Sequence, residues 1–570
     1  MIRLNNLLIA FTALFLISLP LAILAQEMPS EKKLMHREQP DEMTIQLPPS
    51  AQKTSPAYQH SSKGFFMTQV NVDADGMNIL NDAANEPSIA IDPTNPDRMM
   101  IGWRQFDNIS SNFRQAGYAY TLDGGHSWTF PGSIDAGVFR SDPVLGVDHE
   151  GTFYYNSLTV LPGDEYACDV YKTLPGTQEW DEGTFAYGGD KQWMVIDHTS
   201  GESADHNYSF WTQYYSYCYP HFFTRSTDLG GSYEPCVSIN GSPYWGTLAI
   251  GPEGELYIAG AGDWDNIMLV KSLDARYPGE EVTWSQYTAV DLGGYINGWT
   301  PVNPQGLLGQ VYVDVDLSDG PGHGNVYVVA SVVRPQLDAA DVMFARSTDG
   351  GSTFDAPVRV NDDLDNSNYQ WFGTMSVAPN GRIDVVWLDT RNDVTNGTQS
   401  ALYYAYSTDQ GENWSVNQKL SDIFNPHVGY PQQDKMGDYY HMISDDGGAN
   451  LAWACTLNGE QDVYYAYIEP ESVGVEEPIS NVVSLSVSNY PNPFSANTSL
   501  RYSLSAASQV RFIVYDIFGK EMMEPLNALA QPGVHTLRIE TSSLPDGVYI
   551  GKLFAGGNEA AIRMVKAGGQ

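Results

Sequence analysis

Ser347-Thr348-Asp349-Gly350-Gly351-Ser352-Thr353-Phe354 has three relatives elsewhere in the chain. Ser226-Thr227-Asp228-Leu229-Gly230 leads to Tyr233, and Ser407-Thr408-Asp409-Gln410-Gly411 leads to Trp414. An earlier copy, Thr121-Leu122-Asp123-Gly124-Gly125, leads to Trp128. An aspartate can fold its carboxylate back onto the backbone N–H groups of a tight turn, and glycine accepts the positive φ such a turn needs. The closing aromatic is then placed to pack beneath the turn. Recurrence of this kind is the mark of a repeat architecture.

Two degenerate corners fill the gaps. Val170-Tyr171-Lys172-Thr173 leads through Pro175-Gly176 to Trp180, and Ser272-Leu273-Asp274 leads to Trp284. The closing aromatics are thus spaced roughly 50–70 residues apart, against roughly 40–50 for a compact four-stranded propeller blade. In phase with them run apolar hairpins at 87–103, 143–158, 193–214, 246–260, 311–332, 373–389 and 439–456. Ala378-Pro379-Asn380-Gly381 and Gly251-Pro252-Glu253-Gly254 supply turn chemistry at two of their tips. There are seven hairpins but six corners, so the last unit (462–468) lacks an outer strand. The segment 66–72, just before the first hairpin, is expected to supply it and to remove the exposed edge. The pattern therefore predicts an all-β chain with a seven-bladed β-propeller over 63–469; six blades is the alternative.

The corners resemble the Asp-box, or bacterial neuraminidase repeat (BNR), of sialidase-like β-propellers. That resemblance implies a structural role for Asp123, Asp228, Asp349 and Asp409, on the face opposite the active site. Sialidases proper have six blades, which is a first departure.

Composition bounds the rest. Residues 1–25 combine an early cation, an apolar run and a small residue at Ala25, the pattern of a secretory signal peptide. Residues 26–62 are polar and Pro-containing and read as a disordered leader. No later stretch is apolar enough to span a bilayer, so no transmembrane segment is expected after signal removal. The net charge of −40, from 69 acidic against 29 basic residues, argues against nucleic acid and anionic membrane as partners. Among the four cysteines, Cys218 and Cys236 flank one corner and are the disulfide candidate. No cysteine or histidine spacing resembles a zinc site, and no EF-type loop is present, so no cofactor or metal is assigned; calcium stays compatible with so acidic a chain. A monomer is expected.

Residues 470–482 read as a linker to a small β-domain at 483–570. It carries Asn489-Tyr490-Pro491-Asn492-Pro493-Phe494, then Val514-Tyr515-Asp516-Ile517-Phe518-Gly519-Lys520, then Leu544-Pro545-Asp546-Gly547-Val548-Tyr549. Alternating strands with these turns predict an immunoglobulin-like sandwich. In this order the motifs resemble the type A C-terminal sorting domain of type IX secretion. The resemblance implies the type IX machinery as a partner, export to the medium or outer cell surface, and removal of the tail.

In sialidase-like propellers the functional face is built by loops entering the first strand of each blade and leaving the second. Here those loops hold Glu86, Arg140, Asp142, Asp190, Lys191, Asp434, Lys435 and Asp438 at entry, and Arg104, Asp389 and Arg391 at exit. Trp193, Tyr214, Tyr215, Trp245, Tyr369, Trp371 and Tyr439 lie nearby. Charges converging in an aromatic pocket suit glycan recognition and acid/base work. By resemblance, Arg104, Arg140 and Arg391 would hold a substrate carboxylate. Tyr439 or Tyr214 would be the nucleophile, Glu86 its partner, and Asp142 or Asp190 the acid. Lys191, Trp193, Tyr214, Trp245, Trp371 and Asp389 would contact substrate. The family's Phe/Tyr-Arg-Ile-Pro signature is absent; Phe139-Arg140-Ser141-Asp142-Pro143 is the nearest string and precedes the second hairpin, not the first. The expected function is a secreted, sialidase-like glycoside hydrolase acting on extracellular glycans. The alternatives are a non-catalytic glycan-binding or adhesion propeller and a polysaccharide lyase using His441 or Tyr439. The competing structural reading pairs Arg140 with Asp142, or Asp389 with Arg391, as ion pairs that merely seal the channel.

Overall fold

The computed structural model describes residues 53–470 and 487–567, apart from short segments at 164, 263–265, 335–337, 396, 491, 505–507, 517–518, 532 and 556–557. The expected signal peptide, most of the leader and nearly all of the linker lie outside the described residues. The chain divides into two compact units after Glu471.

In the first unit, seven antiparallel sheets follow one another, with inner strands Ala83–Ile91, Ser141–Val147, Trp193–Ile196, Tyr244–Ile250, Tyr312–Val315, Gln370–Val377 and His441–Ser444. Each inner strand contacts the inner strand of the next sheet, and the seventh returns to the first. The sheets therefore stand radially about an axis, as in a β-propeller. The inner strands are almost wholly buried because they face the axis on one edge and neighbouring sheets on both faces. Two small ribbons pair Thr54–Pro56 with Met77–Ile79 and Gly298–Thr300 with Asn303–Leu307.

The corners take the conformation their composition demands. Ser347 Oγ donates to Asp349 Oδ1 at 2.8 Å, and Asp349 also accepts from the N–H and hydroxyl of Thr353 at 2.8 and 2.7 Å. Gly350 and Gly351 both have positive φ, 68° and 88°. A Cβ on Gly351 would stand 2.5 Å from Leu269 of the preceding sheet, so only glycine fits. Asp123, Asp228 and Asp409 accept equivalent sets from Thr121 and Ser127, Ser226 and Ser232, and Ser407 and Asn413. The degenerate corner at Asp274 keeps the bonds to Ser272 and Thr283 across a longer loop.

Each corner leans on the sheet before it. The Trp180 ring meets Tyr118 of the first sheet at 5.5 Å, Trp284 meets Phe223 of the third at 5.2 Å, and Trp414 meets Phe344 of the fifth at 5.2 Å. Tyr154 and Tyr257 donate their hydroxyls to the corner carbonyls of Leu229 and Gly350. Trp128 of the first sheet meets Tyr465 of the seventh at 5.5 Å and so joins the two ends of the series. Between the sixth and seventh sheets, Arg382 donates to the carbonyls of Asp445, Asp446 and Gly448 instead.

The seventh sheet is completed from the N-terminal side. Phe65–Gln69 pairs antiparallel with Asp462–Ile468, one residue earlier than the expected start at residue 66. Asn71 Nδ2 donates to Asp462 Oδ1 at 2.6 Å, and Asn85 Nδ2 to Gln461 Oε1 at 2.6 Å. The disorder expected up to residue 62 does not hold over 54–62. Thr54–Pro56 and Gln59–Ser62 are already strands, the latter paired with Phe65–Gln69, because the hairpin gives this polar stretch a ladder its composition does not announce. Cys218 and Cys236 form a disulfide, while Cys168 and Cys455 are free and buried.

The second unit packs a three-stranded sheet (Val487–Tyr490, Asn497–Leu504, Gly533–Glu540) with a four-stranded one (Ser508–Asp516, Glu521–Ala530, Gly547–Ala555, Asn558–Lys566). Phe494, Leu500, Phe512, Val514, Leu553 and Met564 lie in the core between them. The opening motif is fastened to the last strand, with Phe494 N–H donating to Val565 O and Val565 N–H to Asn492 Oδ1.

The corner and the closure can each be tested by stability. Asp349→Ala removes the acceptor of three turn bonds and is expected to lower the unfolding free energy by roughly 1–3 kcal/mol, read by urea denaturation. At the closure, burial raises Asp462 to about 7, and burial followed by the Asp462 charge pushes Asp82 well up. A carboxyl raised in the folded state adds stability below its unfolded pKa and loses it as pH rises through the folded value. Asp462→Asn is therefore expected to gain in melting temperature relative to the parent between pH 5 and pH 8. A constant difference would rule out this titration.

Candidate functional site

Each inner strand is entered through a sharp turn. Glu86, Asp142, Lys191, Trp245 and Phe372 occupy equivalent places at the starts of five inner strands, with φ of 50°, 50°, 57°, 53° and 57°. In the fifth and seventh sheets Gly309 and Gly437 take left-handed φ close by, at 136° and 97°. Ladder irregularities next to Asn85, Tyr244 and Trp371 mark the entries as β-bulges. A non-glycine residue held at such φ costs on the order of 1–3 kcal/mol, and such strain clusters at sites of function. Repeated around the ring, the bulge brings Glu86, Asp142 and Lys191 together with the entry loop of the seventh sheet.

There the charges interlock. Lys191 Nζ lies 2.7 Å from Asp438 Oδ2 and 3.9 Å from Asp190 Oδ1. Lys435 Nζ lies 2.8 Å from Asp438 Oδ2 and 3.5 Å from Glu86 Oε1. Arg104 Nε lies 3.2 Å from Glu86 Oε2 and donates to Asn85 Oδ1 at 2.8 Å. Asp142 accepts from the Lys191 N–H and the Ser141 hydroxyl. Burial raises Glu86 to about 7 against the pull of Arg104 and Lys435. Burial pulls the Lys191 ammonium down, but Asp190, Asp438, Asp142 and Glu86 together raise it well above its ordinary value.

These side chains are 0–3% exposed. The Gly298–Thr300/Asn303–Leu307 ribbon contributes to that burial. Asn303 Nδ2 donates to Gly437 O, Asn303 Oδ1 accepts from Met436 N–H, and Leu307 N–H donates to Asp438 Oδ1. Along the axis, a cavity of about 300 Å³ is lined from all seven inner strands, including Ile89, Leu145, Trp193, Leu248, Val313, Met375 and Met442. None of the corner aspartates lines it. His441 and Asp314 do. His441 Nδ1 accepts from Ile89 N–H, and burial lowers the ring to about 4. Burial raises Asp314 to about 6, against the N–H groups of Val377 and Val315.

The structure brings Glu86, Arg104, Asp142, Asp190, Lys191, Lys435 and Asp438 into one cluster and leaves the other predicted residues apart from it or differently engaged. Arg140 pairs with Asp169 at 2.7 Å and Asp135 at 3.0 Å, beneath the Tyr171 ring, and not with Asp142. Arg391 pairs with Asp389 at 2.8 Å and with Asp362, over the Tyr403 ring. The three arginines expected to share one substrate carboxylate thus have three separate carboxylate sets. Tyr439 donates its hydroxyl to Pro143 O at 2.9 Å, and burial, then Glu86 and Asp142, push it well above its ordinary value, the reverse of an activated nucleophile. Trp193 packs edge-on against Tyr312, Tyr439 and His441. Trp245 and Trp371 are buried, Trp371 donating to Ser400 Oγ. Tyr214 lies in the short turn Gln213–Tyr215. Asn85 and Asn303 tie the cluster together and were not singled out in the sequence, where nothing distinguishes them from other polar loop residues. Among the described residues, no group of three or more His, Cys, Asp or Glu is placed to hold a metal ion.

Residues 488–567 match the secretion system C-terminal sorting domain. The second unit is therefore a type IX sorting domain. The chain is addressed through that machinery to the cell surface or extracellular space, and no helix among the described residues is long and apolar enough to cross a membrane. No curated protein matches the sequence. Similar solved structures include a protein of unknown function from Dyadobacter fermentans DSM 18053, at 15% identity over 71% of this chain and 99% of that one, TM-score 0.40. Others are a point mutant of the NanB sialidase of Streptococcus pneumoniae, at 10% identity over 60% and 69%, TM-score 0.38, and the phage phi92 endosialidase, at 10% identity over 89% and 88%, TM-score 0.40.

Lys191→Met would leave Asp438 buried with one of its two lysines. Removing one partner of a buried pair costs about 3–5 kcal/mol, so a marked fall in urea midpoint is expected. A variant as stable as the parent would mean that the cluster is hydrated and open.

Proposed function

We propose that the chain is an exported, seven-bladed propeller that engages extracellular glycans by binding them. The observation that carries this reading is the sealed axial cluster. Its cations and carboxylates are paired with one another at 0–3% exposure, and a two-stranded ribbon is bonded over part of them. A hydrolase needs an acid and a nucleophile or base that reach substrate. Arg140 and Arg391 are held in separate ion-pair networks, and the Tyr439 hydroxyl is already donated to a backbone carbonyl. In this reading Asp123, Asp228, Asp349 and Asp409 are Asp-box staples, and the strained entry turns fix the loop face on which the ligand lies.

A glycoside hydrolase of sialidase-like type is the second reading, favoured by Glu86. A carboxyl raised to about 7 beside further carboxylates is the profile of a general acid, and the ribbon would then have to lift to admit substrate.

The two readings separate in one experiment. The purified protein is incubated with sialylated, arabinan, glucan and uronate-containing glycans, while released sugar, unsaturated uronate absorbance and binding are measured together. Binding without turnover is expected. Turnover that Glu86→Gln abolishes would overturn the binding reading in favour of the hydrolase.

A further inference from the structure

Phe185, Tyr217 and Tyr219 stand open to water, 42%, 40% and 64% exposed. Isolated exposed aromatics are ordinary, but a contiguous exposed apolar patch marks a site of contact. Here the Phe185 ring lies 5.0 Å from Tyr217 and 5.2 Å from Tyr187, and Tyr187 lies 6.2 Å from Tyr217. The rings come from two segments, 183–189 and 213–221.

The second segment is fastened from several sides. Cys218 is bonded to Cys236. Ser216 Oγ accepts from Trp211 Nε1 at 2.6 Å and donates to His221 O at 2.5 Å. Tyr217 N–H donates to Gly188 O at 2.9 Å, and Asp190 N–H donates to Tyr215 O at 3.0 Å. The patch is therefore preorganised and is joined through the backbone to the entry strand that carries Asp190 and Lys191. Little side-chain or loop freedom remains to be lost when a ligand docks. In a chain of net charge −40, neither segment contains Asp, Glu, Lys or Arg.

We propose that Phe185, Tyr187 and Tyr217, with Tyr219 on the same disulfide-held segment, form a stacking platform for a neutral glycan. The proposal rests on the glycan-binding reading above and names its surface and ligand class. The flat ring faces match the C–H face of a pyranose, and tyrosine hydroxyls can exchange hydrogen bonds with sugar hydroxyls. A uronate or sulfated chain would find no Lys or Arg in either segment and would be repelled by the acidic surface around it.

The test is affinity electrophoresis of the full-length protein in gels containing β-glucan, xylan, galactomannan or starch, with polygalacturonate and hyaluronan as acidic probes. At least one neutral polysaccharide is expected to retard the protein. Phe185→Ala and Tyr217→Ala should each weaken that retardation about tenfold or more while leaving the melting temperature unchanged. Tyr287→Ala, an exposed aromatic on the outer strand of the fourth sheet, should behave like the parent, and Tyr217→Phe, which keeps the ring face and loses the hydroxyl, should be weakened far less than Tyr217→Ala. Retardation that survives in Phe185→Ala and Tyr217→Ala overturns the platform and leaves the binding reading intact. Absence of retardation in every gel overturns both. Retardation by acidic polysaccharides alone overturns the choice of ligand. A concentration-dependent dimer that these variants dissociate, without any glycan effect, would overturn the platform and make the patch an interface between copies.

Discussion

The corner of one sheet lying against the sheet before it holds the first unit together. A radially placed sheet has two faces to cover and one outer edge that neighbours reach poorly. The S-T-D turn answers both needs with few residues. Its carboxylate locks the turn through backbone and hydroxyl donors, so the aromatic that closes it is delivered to a fixed place on the neighbouring sheet. Trp128 against Tyr465 extends that relation from the first sheet to the seventh, which makes the series cyclic. Where the seventh sheet lacks a corner, Arg382 substitutes hydrogen bonds to three carbonyls for the missing aromatic contact.

The same repetition builds the axial cluster. Five strands begin with a non-glycine residue forced into left-handed backbone, so equivalent side chains are thrown toward one end of the axis. Three of the five are charged and two are aromatic, which divides that end into a polar and an apolar side. Burying so much charge is unfavourable unless each group finds an opposite partner. The pairing of Lys191 and Lys435 on Asp438, and of Arg104 on Glu86, meets that condition. Their burial also separates them from anything dissolved outside, while the uncharged aromatic patch one strand away meets water directly.

Much of the fold was legible because it rests on local chemistry. Turn residues, closing aromatics and apolar hairpins each report a short-range requirement, and all seven hairpins correspond to paired inner and second strands. The sorting domain was legible for the same reason, since its three motifs combine turn residues with strand patterning. The site was less so. Of the entry positions, Glu86, Asp142, Asp190, Lys191, Lys435 and Asp438 lie together in the structure, while Asp434 accepts from Gln305. Arg140 at an entry and Arg391 at an exit turn elsewhere, to Asp169 and Asp135 and to Asp389 and Asp362. Which way a long side chain turns depends on partners supplied by other strands, and no local pattern encodes that. The ribbon at 298–307 escaped notice because its strands are three and five residues long and carry no alternation. It lies in the longest interval between closing aromatics, from Trp284 to Phe354, and that surplus length was the one signal available.

The order of synthesis gives the closing strand a particular burden. Asn71 and Asp462, which bond to each other across the seam, lie 391 positions apart. Phe65–Gln69 is therefore made nearly a whole unit ahead of its partner in the seventh sheet, with only the Gln59–Ser62 strand to pair with until then. Contacts of such separation form late and slowly, since the chain between them must already be ordered. Until then both margins of the nascent array present unpaired N–H and C=O groups. A chain cut short anywhere before Asp462 would keep those margins open, and aggregation, not a smaller working ring, is its natural fate.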